Sequence, residues 1–183
     1  MDFAEVLPKI KDQIGFTDGV VITGGEPTVH PNLMDMIKQI KELGLLVKLD
    51  TNGTNPKLLK ELVSEKLVDY VAMDVKGSFE KYNEICGVNI DTKKIQESIE
   101  FLIGQNDIDY MFRTTLYPIL DESDFQGMAE LLKGTKTFQL QQFIPNDFSN
   151  SQKVVHLPYR PDQAEKFIQI IKPHVGEVLL RGF

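Results

Sequence analysis

Asp18-Gly-Val-Val-Ile-Thr-Gly-Gly-Glu-Pro27 is the stretch on which the reading of this chain turns. Residues 19–23 make a short apolar, β-branched run that ends in two glycines, a carboxylate and a proline. Gly24 and Gly25 lack a Cβ, so a ligand can lie directly against the backbone there. Glu26 offers an acceptor to a cationic group, and Pro27 stops the strand and removes a donor. Polar chemistry at the carboxyl end of an apolar strand is where α/β folds keep their ligands. A glycine turn from strand to helix would account for Gly-Gly alone, but not for the whole tetrad.

Working outward, strand-like and helix-like patterns alternate, which predicts parallel strands joined by helical crossovers. Phe3, Val6, Leu7, Ile10 and Ile14 lie at helical spacing, with Pro8 expected to kink or delay that helix. Pro31 suits a first helical position ahead of the stripe Leu33, Met34, Ile37 and Ile40. Residues 45–49 form a strand that leads into Asp50-Thr51-Asn52-Gly53. Asn55-Pro56 reads as the cap and first position of a helix with Leu58, Leu59, Leu62 and Val63 inward. Residues 69–75 make the next strand, closing with Asp74-Val75-Lys76-Gly77. Residues 78–91 are irregular or briefly helical, and Ile95, Ile99, Leu102 and Ile103 define another helix. A strand at 110–116 carries Arg113, a helix follows with Phe125, Met128, Leu131 and Leu132, and 137–144 is a strand. Residues 147–157 read as a polar surface loop. Pro161 opens a last helix, and 177–181 form a final short strand. With no repeat beyond the βα unit and no linker, residues 1–183 are expected to form one domain.

The composition, 42% hydrophobic and 26% charged, is that of an ordinary globular chain. No apolar run approaches the ~20 residues of a membrane span. A net charge of −7 argues against a general nucleic-acid binder. The first residues lack the basic-then-apolar pattern of a signal peptide, and the one cysteine suits a reducing compartment, so a cytoplasmic protein is expected.

Strands covered on both faces should read as nearly continuous apolar runs. Here strand alternation puts Lys48 beside Asp50, Asp74 beside Lys76, Ala72 and Tyr70, and Arg113 beside Met111 and Thr115. Each charge could pair with another at a solvated rim. Five of them at the carboxyl ends of consecutive strands point to a polar ligand.

Taken in order, Gly24-Gly25-Glu26-Pro27, Leu49-Asp50-Thr51-Asn52-Gly53, Met73-Asp74-Val75-Lys76 and Arg113 resemble the activating enzymes of glycyl radical enzymes, within the radical SAM superfamily. The branches most alike are the anaerobic ribonucleoside-triphosphate reductase and pyruvate formate-lyase activating types. The resemblance implies a partial (βα)6 TIM-like barrel of parallel strands, with the first strand and the cluster loop missing from this chain. It implies that Thr23, Gly24, Gly25 and Glu26 hold the amino group of S-adenosylmethionine and that Asp50 accepts from the ribose hydroxyls. Lys76 and Arg113 would face the methionyl carboxylate or the surplus charge of a cation site. That site, for a monovalent cation, would be Asp50, Thr51, the backbone of Ala72, and Asp74. Asn146 or Asp147 stands where the family often has a histidine. The implied partners are a glycyl radical enzyme as protein substrate and an electron donor such as flavodoxin or ferredoxin. In the implied reaction a reduced [4Fe–4S] cluster cleaves the sulfonium, and the resulting 5′-deoxyadenosyl radical takes hydrogen from a glycine of the partner.

Such a cluster needs three closely spaced cysteines, and this sequence has only Cys86. The expectation is a chain that starts inside its first βα unit, its cluster cysteines upstream, and inactive as it stands; natural loss of the cluster is the alternative. His30, His156 and His174 lack zinc-motif spacing and read as surface residues. Two rivals remain open. One is an aldolase-like barrel with Lys76 as a Schiff-base lysine, which leaves Gly-Gly-Glu-Pro and Asp50 without roles. The other is a cofactor-binding or partner-docking module without catalysis.

Overall fold

The computed structural model describes residues 3–145 and 157–183; Asn146, Asp147, His156 and nearly all of the expected polar loop fall outside them. In chain order the elements are α1 (Phe3–Lys11), β1 (Gly19–Ile22), α2 (Leu33–Glu42), β2 (Leu46–Thr51), α3 (Pro56–Ser64), β3 (Tyr70–Asp74), α4 (Tyr82–Cys86), α5 (Thr92–Ile103), β4 (Asp109–Leu116), α6 (Glu122–Leu131), β5 (Thr137–Gln142), α7 (Pro161–Ile171) and β6 (Glu177–Arg181), with short 3-10 turns at Pro27–Val29 and Lys172–His174. They fall into two compact units, residues 1–73 with 93–110 and residues 74–92 with 111–183.

In the first unit β1, β2 and β3 pair in parallel, Gly19 beside Leu46 and Asp50 beside Ala72. Burial alternates along β2, with Val47, Leu49 and Thr51 buried and Lys48 and Asp50 half-buried between them. Ile37 and Ile40 of α2, Leu59 and Leu62 of α3, and Ile95, Ile99 and Leu102 of α5 supply the buried helical side chains. The stripes at 3.6-residue spacing thus become the core, as their pattern predicts. α3 starts where expected, because Asn55 accepts the Leu58 N–H at 3.3 Å and Pro56 needs no donor. At Gly53, φ is +75° and a Cβ would lie 2.0 Å from Met73 Cε, so only glycine fits that turn.

Three local expectations need correction. Pro31 does not open α2; the helix begins at Leu33 behind Asn32, and it is Pro27 that takes a first helical position, in the 3-10 turn capped by Glu26. Pro8 does not delay α1, which runs through it from Phe3 to Lys11, and none of that helix's residues is buried. β2 extends two residues past the expected end, because the ladder to β3 continues through Asp50 and Thr51.

In the second unit β4, β5 and β6 pair in parallel, Phe112 beside Phe138 and Phe138 beside Val178. Buried Phe125, Met128, Phe167 and Ile171 come from α6 and α7, with the rings of Phe125 and Phe167 stacked at 4.5 Å. α6 begins in a capping box made by Asp121 and Asp124. Asp124, 1% exposed, accepts from Ser78 Oγ at 2.6 Å, Lys81 Nζ at 2.8 Å and the Asp121 N–H at 2.8 Å. Three donors offset the desolvation that burying a carboxylate costs. Lys81 also reaches Asp121 at 2.6 Å. Bonds from both carboxylates raise the Lys81 ammonium well above the ordinary lysine range, and the bond from Lys81 holds Asp121 well below the usual carboxylate range.

Candidate functional site

The first unit gathers its polar residues at the carboxyl ends of β1 and β2. β1 stops at Ile22, so Thr23 already lies outside the strand. Gly24 and Gly25 follow with φ of +97° and +51°, and a Cβ on either would meet nothing within 4 Å. Backbone conformation, rather than crowding by neighbours, is therefore what calls for glycine, and it leaves the main chain open to a ligand.

Glu26 is engaged from several directions. Its Oε1 accepts from the Thr28 N–H at 3.1 Å, from Thr28 Oγ1, and from Thr51 Oγ1 at 2.7 Å. Its Oε2 accepts from the Asn52 N–H at 2.6 Å. Thr51 Oγ1 in turn accepts from the Gly53 N–H at 3.1 Å. Asp50 lies on the other face of β2, with Oδ1 3.3 Å from Lys48 Nζ. Lys48 also stands 5.8 Å from the centroid of the Tyr70 ring. A hollow of about 570 Å³ opens toward the opposite, amino-terminal ends of these strands, lined by Gly19, Leu46, Asp69 and Tyr70 among others, away from the glycine turn.

The second unit holds the other charged residues. Arg113 Nε donates to Asp74 Oδ1 at 2.9 Å and Lys76 Nζ to Asp74 Oδ2 at 2.9 Å, so one carboxylate carries two cations. The segment is tied to β4 through Val75, whose N–H donates to Arg113 O at 2.8 Å and whose carbonyl accepts from Thr114 Oγ1 at 2.7 Å. Beneath it, the buried hydroxyl of Tyr82 accepts from the Lys76 N–H at 3.4 Å, and burial raises the Tyr82 phenol well above its ordinary range.

Among the described residues no three His, Cys, Asp or Glu side chains gather as a metal site. Asp50 and Asp74 already face protein cations, and the Thr51 hydroxyl donates to Glu26, so the arrangement gives a monovalent cation no support. Burial pushes the Cys86 thiol up, away from the thiolate that iron requires. One such thiol does not fit a [4Fe–4S] cluster, which needs several thiolates. His30 Nδ1 accepts the Asn32 N–H at 3.2 Å, and His174 lies 3.8 Å from Glu130; both have local structural partners. Among the described residues no helix is long and apolar enough to cross a membrane.

Of the residues singled out from sequence, the structure ties Glu26 to Thr51 and Lys48 to Asp50 in one unit, and Asp74 to Lys76 and Arg113 in the other. Thr28 and Asn52 were missed. Thr28 follows Glu26 at a capping distance and could have been found; Asn52 acts through its backbone, which no side-chain pattern marks.

Comparison with known proteins gives four findings. A family model of the radical SAM superfamily matches residues 1–132. A Methanocaldococcus jannaschii protein described as a "putative glycyl-radical enzyme activating enzyme" is 35% identical over 172 residues, covering 91% of this chain and 71% of the relative. A tungsten-containing aldehyde ferredoxin oxidoreductase cofactor-modifying protein of Pyrococcus furiosus is 42% identical over 79 residues, or 41% of this chain and 20% of that one. The chain thus spans only part of its relatives. A crystal structure of a domain of the pyruvate-formate lyase-activating enzyme from Bacteroides vulgatus superposes with a TM-score of 0.67 at 22% identity, over 90% of this chain and 99% of that one. The two share a fold, the α/β arrangement of parallel strands and crossover helices that the sequence predicts.

Proposed function

The chain belongs to the radical SAM superfamily, and we propose that it binds S-adenosylmethionine at the carboxyl ends of β1 and β2 as part of an activating enzyme for a glycyl radical enzyme. The observation that carries this reading is the open main chain at Gly24 and Gly25, followed at the end of β2 by a half-buried carboxylate at Asp50. Backbone carbonyls near the glycines can accept from an ammonium group, and a carboxylate can accept from two vicinal hydroxyls. Those are the two polar ends of this cofactor, so the donor set fits it. When bound, the cofactor would supply a sulfonium whose cleavage, on taking one electron from an external donor, gives methionine and a hydrogen-abstracting group. The residues here bind and orient it.

In the second unit, Lys76 and Arg113, both held by Asp74, are proposed as positive charges for a carboxylate ligand. The likeness to the M. jannaschii protein supports a glycyl radical enzyme as the substrate protein; a flavodoxin or ferredoxin is proposed as the electron source. The single thiol of this sequence does not fit a [4Fe–4S] cluster.

The test is calorimetric titration of S-adenosylmethionine into the chain and its Asp50→Ala variant. Losing a charged acceptor should weaken binding by about 1.5–3 kcal/mol, with a smaller change in thermal stability, since Lys48 keeps 34% of its side chain in solvent and its place beside the Tyr70 ring when Asp50 is removed. Unchanged affinity would remove Asp50 from the site.

A further inference from the structure

The carboxylate of Glu26 is the most heavily bonded polar group at the end of β1. A carboxylate offers about four acceptor positions on its two oxygens. Oε1 takes donors from Thr28 N, Thr28 Oγ1 and Thr51 Oγ1, and Oε2 takes the Asn52 N–H at 2.6 Å. Two of these donors lie two residues away along the chain; the other two come from the far side of α2, 25 and 26 residues on. The Thr51 hydroxyl accepts from Gly53 N–H, so its single proton is directed to Glu26. Thr51 is 4% exposed and cannot turn outward. Oε1 is filled and Oε2 keeps a single acceptor position, so an ammonium ligand at Glu26 would have to share the carboxylate with this set.

We infer that Glu26 is a positioning residue rather than a ligand: with Thr51 and Asn52 it latches the glycine turn after β1 to the end of β2, and so sets where the Gly24–Gly25 backbone stands relative to Asp50. The inference rests on the cofactor reading above. The glycines need such a latch. Both have positive φ and no heavy atom within 4 Å of a built Cβ, so side-chain packing does not hold them. Asp50 needs it as well. It precedes Thr51 on a strand whose residues alternate in direction, so fixing Thr51 on the buried face aims Asp50 at the other.

The test uses the full chain and two ligands, S-adenosylmethionine and 5′-methylthioadenosine, which keeps the adenosine and lacks the amino-acid end. Affinities are read by ligand-observed NMR titration for the parent, Glu26→Gln, Thr51→Val, Thr51→Ser and the Glu26→Gln/Thr51→Val pair. A latch moves both subsites, so Glu26→Gln should weaken both ligands by a similar factor, about tenfold or more. Thr51→Val should do the same, the double variant should lose little beyond the worse single one, and Thr51→Ser should recover most of the affinity. Without ligand, the Asn52 amide should exchange faster in Glu26→Gln while the Leu49 amide is unchanged, which separates the latch from general unfolding.

The inference is overturned if Glu26→Gln weakens S-adenosylmethionine and spares 5′-methylthioadenosine, because Glu26 then touches the amino group itself. It is equally overturned if Asn52 exchange does not change while both ligands bind the parent. Absence of saturable binding of either ligand to the parent would overturn the cofactor reading, and this inference with it.

Discussion

Asp124 and Lys81 show how a single buried carboxylate organises its surroundings. Asp124 has three donors at 1% exposure, and Lys81 provides the charged one. Lys81→Met leaves two donors, and loss of a charge-assisted bond to a buried group should cost about 2 kcal/mol at pH 7, measurable by urea unfolding. The pH dependence has a definite sign. The folded value of Asp121 is depressed by Lys81, so its contribution is present above the ordinary carboxylate range and is lost as pH falls toward the folded value. Lys81 is raised, so its contribution holds through neutral pH and is lost only as pH climbs through its elevated folded value. The gap between parent and Lys81→Met in urea midpoint should therefore narrow between pH 7 and pH 3. A constant gap would mean that Asp121 gains nothing from the lysine.

Among the elements, the segment after β3 offers the clearest functional contrast. Asp74 holds Arg113 and Lys76 on separate oxygens. If Lys76 serves by its charge, Lys76→Arg should keep part of the cofactor affinity and Lys76→Met should lose about tenfold, a ratio of about 1.4 kcal/mol. If Lys76 is instead a Schiff-base nucleophile, borohydride with a carbonyl compound should label the parent and neither variant. At this scale the apolar patterns were the legible part. The stripes at Leu33–Ile40, Leu58–Val63 and Ile95–Ile103 and the strand runs around them carry periodicity that burial then enforces. Element ends were less legible because they depend on long-range partners. β2 is carried past residue 49 by its ladder to β3, and α2 starts late because Glu26 and Pro27 set up a 3-10 turn first. The site followed the same division. Gly-Gly-Glu-Pro was readable as a glycine turn that leaves the main chain open. That Glu26 spends its acceptors on Thr51 and Asn52 was not, because those donors lie 25 and 26 residues away and one is a backbone N–H.

For the molecule as a whole, the family is established, whereas the thiolates that an iron–sulfur cluster requires are not supplied by a sequence with one cysteine. Anaerobic reconstitution of these 183 residues with iron and sulfide should leave no stoichiometric cluster and no broad visible absorbance, because the one cysteine has its thiol pushed up by burial. Stoichiometric iron with that absorbance would show that other side chains can replace the thiolates. The net charge of −7 adds a condition on any partner: its docking face must tolerate or complement an acidic molecule, and association should then respond to salt.

β2 has a carboxylate at each end. Asp69 accepts the Val47 N–H at 2.7 Å while held by Lys41, and Glu26 accepts the Asn52 N–H at 2.6 Å. These two anchors stand five residues apart, and they act as a proofreading gauge for the pairing of the strand. A slip of one residue would break both bonds at once and turn Asp50 into the apolar layer. A mispaired β2 would forfeit both bonds, so the register that sets Asp50 beside Ala72 is favoured from both ends of the strand.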